Sequence, residues 1–125
     1  MIAPAYWLTF EDRPGYLLAC VWGHRDSLET SISFWQEIAL EVYGRRPTRL
    51  MVQESFLNNV SLPDMLEIVT FITQIGFHDL RIAFLDEQAA QLASNRIAEE
   101  QATAHGLSIK VFSEIGEAEK WLLAA

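Results

Sequence analysis

Apolar positions open this chain as two strand-like runs and then switch between helical and strand spacing as far as the C-terminus. The opening runs are Ala5 to Phe10 and Tyr16 to Trp22, split by Glu11-Asp12-Arg13-Pro14-Gly15. Pro presets φ and Gly accepts a positive φ, so this short connection predicts an antiparallel hairpin. A first helix is expected from Asp26. Asp26 and Glu29 have the spacing of a capping box, and Leu28, Ile32, Trp35, Ala39 and Val42 make one apolar stripe. Gly44 is its expected end, with Arg45 and Arg46 beside it and Pro47 beyond. Thr48 to Val52 reads as the third strand.

A second helix is expected over Leu62 to Ile75, capped by Ser61, with Pro63 in its first turn and Gly76 as its stop. It is apolar around much of its circumference, which predicts burial on more than one side, against a neighbouring helix or a partner chain. Leu80 to Leu85 is a nearly continuous apolar strand broken by Arg81. A third helix follows over Glu87 to Ala104, with Asp86 as cap, Gly106 as stop and a small-residue inner stripe of Ala90, Ala93, Ile97 and Ala104. Leu107 to Phe112 is the last strand. Ser113 is the expected cap of a final helix that carries Ile115, Ala118 and Leu122 on one face beside Trp121.

This order specifies a single α/β domain over residues 1–125. Its sheet is mixed and five-stranded: the first strand is an antiparallel edge strand and the other four are mostly parallel, with four helices packed on it. Such sheets place ligand and partner sites in the loops at the C-terminal strand ends. The one long loop there runs from Glu54 to Val60.

Composition changes the picture in three ways. Half of the 125 residues are hydrophobic and the mean hydropathy is +0.11, so a full core forms and apolar surface is left over for a partner or a second copy of the chain. The formal net charge of −8 argues against nucleic acid and anionic membrane as partners. The one basic cluster, Arg45, Arg46 and Arg49, falls where a helix dipole calls for cations. Cys20 is the sole cysteine, so no intrachain disulfide forms. No run is long enough for a transmembrane helix and no signal peptide is evident, which makes a cytoplasmic location the default expectation.

The strand order, a hairpin followed by alternating helices and strands, resembles the STAS superfamily, the SpoIIAA-like (anti-sigma factor antagonist-like) domains. Ala104-His105-Gly106-Leu107-Ser108-Ile109-Lys110-Val111-Phe112 and Glu117-Ala118-Glu119-Lys120-Trp121-Leu122 look like the last strand and helix of that group. The resemblance implies a non-enzymatic regulatory module that docks a protein through the loop after the third strand and the second helix. It also implies a phosphorylatable Ser or Thr at that loop. Ser61 stands at about that place, in Asn58-Asn59-Val60-Ser61-Leu62-Pro63-Asp64, where Val60 replaces the family's preceding acid. Read from the residues alone, Ser61 is a helix cap.

The expected partner contacts are therefore Phe56 and Leu57 as apolar groups, Asn58 and Asn59 as polar ones, and Ser61. The other reading of Phe56 and Leu57 is a lid folded back on the core. A second hypothesis is a carrier of a small apolar, lipid-like molecule in a cavity beside the second helix. A third is a hydrolase built on Ser55 or Ser61 with His24. It is the weakest, because nucleotide-binding and nucleophile-elbow motifs are absent. No cofactor is expected, and His24, His78 and His105 fall at different ends of the fold, which argues against a metal site. His24 with Arg25 is a candidate anion site. Asp26, Glu54, Asp86 and Glu87 stand at the productive end of the sheet, with Asp26 and Asp86 read as caps.

Overall fold

The computed structural model describes residues 3–124. β1 (Trp7–Arg13) and β2 (Tyr16–Trp22) form the hairpin, in register from Trp7 opposite Trp22 to Arg13 opposite Tyr16. β1 runs three residues further than the apolar pattern indicates. The ladder continues through the polar Glu11 to Arg13, and the turn shrinks to Pro14 and Gly15, the latter at φ +89°.

β2, β3 (Arg49–Ser55), β4 (Arg81–Leu85) and β5 (Ser108–Phe112) are parallel, and the five strands lie side by side in sequence order. The crossovers are α1 (Leu28–Arg45), α2 (Leu62–Gln74) and α3 (Leu92–Ala104), and α4 (Ile115–Leu123) ends the fold. The mixed five-stranded α/β layout is thus as the pattern specified. Successive crossovers of one hand in a sequentially ordered sheet stack their helices on one face. The core agrees. Leu17, Ala19 and Val21 of β2, with Leu50 and Val52 of β3 and Ile82 of β4, pack under α1–α3 around Phe34, Trp35 and Ile38.

The final helix has no following strand to rejoin, so α4 is free to cover the other face. Ala118 and Leu122 close a second core with Tyr16, Leu18, Met51, Ala83 and Leu85. Arg81, the charge that interrupts the β4 run, is resolved here. Its guanidinium lies 3.9 Å from the Trp121 ring centre and donates to the Trp121 carbonyl at 2.7 and 3.2 Å. Tyr16 donates to Glu119 at 2.7 Å, and burial followed by that contact pushes its phenol up to about 12. Where α4 does not reach, Trp7 and Trp22 stack on each other and stay exposed.

Several element ends differ from the sequence pattern. α1 is capped by Ser27, whose hydroxyl accepts from the Thr30 N–H, and it passes through Gly44 to a left-handed Arg46 at φ 53°. Arg45 is held by Asp12 and Glu41, so the basic cluster serves the helix end and the hairpin. Glu114, not Ser113, occupies the cap of α4. α3 starts late, behind a short 3-10 turn at Ala89–Gln91, and its inner face is Gln91, Asn95 and Ala102. Ala90, Ala93, Ile97 and Ala104 instead face solvent. Two polar side chains on the inner face defeat a stripe drawn from apolar residues alone. Among the described residues, no helix is long and apolar enough to cross a membrane.

Candidate functional site

Alternation along a strand sends every second side chain to the same face. In β3, Leu50 and Val52 point under α1–α3, and Glu54 is the next residue of that parity. In β4, Ile82 and Phe84 lead in the same way to Asp86, just past the strand end. The apolar pattern ends the strand at Val52 and leaves Glu54 in the loop. It belongs to the strand, because the ladder with β2 continues through Val21 opposite Glu54 and Trp22 opposite Ser55. The loop itself is correspondingly shorter.

Three loops are sewn together at this end of the sheet. Gly23 donates its N–H to the Ser55 carbonyl at 3.1 Å, and Leu57 donates to the His24 carbonyl at 3.2 Å. The Asn58 amide brackets Asp26: its Oδ1 accepts the Asp26 N–H at 2.7 Å and its Nδ2 donates to the Asp26 carbonyl at 3.1 Å. Gln88, after β4, donates to the Phe56 carbonyl. Gly23 is required at its place, since a Cβ there would lie 2.7 Å from both the Ala5 carbonyl and the Phe56 ring.

The carboxylates inside this rim are not simple caps. Asp26 is 5% exposed and accepts from the Ser27 N–H at 2.8 Å and from the Ser31 hydroxyl at 2.9 and 3.0 Å. Asp86 is 4% exposed and accepts from the Gln88 N–H at 3.0 Å and from Asn95 at 3.4 Å. Burial pushes both above the ordinary carboxylate range, opposed by those hydrogen bonds. Glu54 lies between them. The residue is part-buried, and desolvation, then the charges of Asp26 and Asp86, hold its carboxyl well above its usual value. The contact between the two side chains acts oppositely on them, favouring the neutral form of Glu54 and the charged form of Asp26.

Beneath the rim, α1, α2, α3 and the sheet border a partly open cavity of about 70 Å³. Asp26, Ser31, Glu54, Asn59, Asn95 and Glu99 form its polar part, and residues such as Trp35, Met65, Ile68, Phe84 and Val111 its apolar part. The small side chains Ala98 and Ala102 of α3 face Phe84, Ile109 and Val111 without filling the gap. Glu99 is already engaged, accepting the Val111 N–H of the edge strand at 2.7 Å.

The structure divides the sequence-derived site residues. Phe56, expected as an apolar contact, is 3% exposed and stacks on Phe34 with ring centres 6.0 Å apart. It is a core residue and cannot touch a partner from there. Leu57, next to it, is 70% exposed. Asn58 is spent on Asp26 rather than free for a partner, and Asn59 borders the cavity. Ser61 is exposed and caps α2 by accepting the Asp64 N–H at 3.3 Å, as the spacing predicted. His24 and Arg25 are both exposed in the loop after β2. Ser55 faces away from Glu54, and Ser61 shows no hydrogen bond to His24 among the described residues. The same residues contain no group of three or more His, Cys, Asp or Glu arranged to hold a metal ion.

The residue that sequence reasoning undervalued is Glu54. Its signal was available: a charged group at inward parity with Leu50 and Val52. The sequence matches no protein-family model, and no curated protein matches it at a significant level.

Proposed function

We propose that this chain is a non-enzymatic regulatory module of the SpoIIAA/STAS-like type, docking a protein partner through the β3–α2 loop and the outer face of α2. The observation that supports this is an exposed leucine row on a rigid base. Leu57 is 70% exposed, Leu62 44% and Leu66 37%, the last two one helical turn apart. The base is rigid because Phe56 anchors it below and Asn58 and Gln88 tie it sideways. A shallow groove of about 350 Å³ between α1 and α2, bordered by Leu28, Ile32 and Phe71, extends the apolar surface.

Ser61 lies in the sequence between Leu57 and Leu62 and is exposed at the start of α2. A phosphate there would add about −1.5 to −2 charges at pH 7 amid apolar contacts and would weaken docking. A second copy of the chain is the other occupant such a surface admits, and sedimentation at high concentration distinguishes it. A lipid carrier is the weaker reading, because a ligand pocket of that kind occupies about 300–1,000 Å³, the cavity between α2 and the sheet is about 70 Å³, and the larger groove between α1 and α2 is open to solvent.

The test is capture of interacting proteins from the native cell with wild type and with Leu62→Asp/Leu66→Asp. Loss of one specific partner by about tenfold or more, with an unchanged melting temperature, is the expected result. Retention of every captured protein would place docking elsewhere.

A further inference from the structure

We infer that the outer edge of β1 is an interface between two copies of this chain, which pair β1 with β1 antiparallel about a two-fold axis at Phe10 and merge two five-stranded sheets into one. The hairpin fixes which backbone groups face outward. Its turn has two residues, so Arg13 and Tyr16 are a hydrogen-bonded pair, and bonded and non-bonded pairs alternate from there. Thr9, Glu11 and Arg13 therefore spend their N–H and C=O groups on β2. Those of Leu8, Phe10 and Asp12 point away from the sheet, and among the described residues nothing bonds them. The opposite edge is covered: the Val111 N–H of β5 is taken by the Glu99 side chain at 2.7 Å. β1 has no such cover, no bulge in its register and no proline between Trp7 and Arg13. A regular, uncovered edge is a template for another strand.

The residues select a second copy as that strand. With the two-fold at Phe10, the middle of β1, Leu8 lies opposite Asp12 of the second copy and Phe10 opposite its own counterpart. Every outward N–H and C=O of the three then finds a partner. On the face shared with α4, Trp7 falls opposite Arg13 of the second copy in a non-hydrogen-bonded pair, where side chains approach most closely. Both are part-exposed in the single chain, and a guanidinium over an indole is an attractive pair. Sliding the second copy by two residues one way sets Glu11 against Glu11. Sliding it the other way carries Asp12 and Arg13 beyond the end of the facing strand. Helix α1 adds to the match. It runs beside β1 in the same direction, with Ser33 and Glu37 at Tyr6 and Arg45 at Asp12. The two-fold sets the two α1 helices antiparallel, the Arg45 and Arg46 end of one toward the Glu37 side of the other, an attractive arrangement of charge. The leucine row of α2 lies across α1 from this edge, so the two surfaces are independent.

The test joins sedimentation equilibrium with amide hydrogen exchange at rising chain concentration. A dimer is expected, with protection growing at the Leu8, Phe10 and Asp12 amides as it forms. Asp12→Pro removes an N–H that the single chain leaves unused, so it should keep the hairpin and raise the dimer dissociation constant by about tenfold or more. Asp12→Ala, which keeps that N–H, should change it far less. Arg13→Glu, at an exposed side chain, should weaken the dimer in the same direction and decides the matter if the proline variant melts early. Leu62→Asp/Leu66→Asp should leave the dimer intact. A monomer at every concentration would overturn the assignment and leave the edge to a foreign extended segment. A dimer in which those three amides stay unprotected, or one lost through the leucine substitutions instead, would overturn it equally.

Discussion

Phe56→Ala is expected to destabilise the fold by about 3–5 kcal/mol, the range for removing a fully buried phenyl ring, whereas Leu57→Ala changes stability by no more than about 0.5 kcal/mol. The two residues are neighbours with opposite environments. The Phe56 ring lies under the rim against Phe34, and Gly23 has no side chain because that ring occupies the space. Deleting the ring leaves a hole where the three loops meet. Leu57 is mostly in water, so little is lost with it. Urea unfolding of both variants checks the contrast. Similar midpoints for the two would mean that Phe56 does not fill the core. A large loss for Leu57→Ala would mean that its side chain is covered.

The second large effect concerns pH. Glu54, Asp26 and Asp86 all hold their protons more tightly in the folded chain than unfolded carboxyls do, chiefly because they are buried. Unfolded Glu and Asp titrate at about 4.3 and 3.9. Above those values the folded chain binds more protons than the unfolded one, so stability falls as pH rises. The contribution is complete below the unfolded values and is lost as pH passes through each raised folded value. No base lines the cavity beside Glu54 to reverse this. Glu54→Gln keeps the shape, removes the titrating proton and can still donate to Asp26. At pH 7 to 8 it is expected to be more stable than wild type by on the order of 1–3 kcal/mol, the cost of a buried polar group without adequate partners. That advantage should vanish near pH 4. Thermal melts of both proteins across this range decide the matter. Parallel curves would show that Glu54 does not carry the dependence.

Much of the architecture was legible in the residues because its signals are local. Pro14 and Gly15 announce a turn whatever surrounds them, and Ser61 with Pro63 announces a helix start. The helix and strand periods specify crossovers, and crossovers specify parallel neighbours. Signals failed where a polar residue sat at an inward position. The inner face of α3 was missed because Gln91 and Asn95 interrupt it, and β3 was cut short before Glu54. Asp26 and Asp86 resembled caps because an acid ahead of a helix ordinarily is one. Only the folded chain shows that Ser27 does the capping at α1 while Asp26 turns inward.

The residue order by itself determined the hairpin, the parallel sheet, the count of helices and the position of the loop ahead of α2, since each follows from patterns read over a few neighbouring residues. Tertiary structure alone decided which of two adjacent loop residues is core and which is surface, and that three acids distant in sequence share one rim. Both depend on side chains brought together by different crossovers, across distances that no local pattern spans.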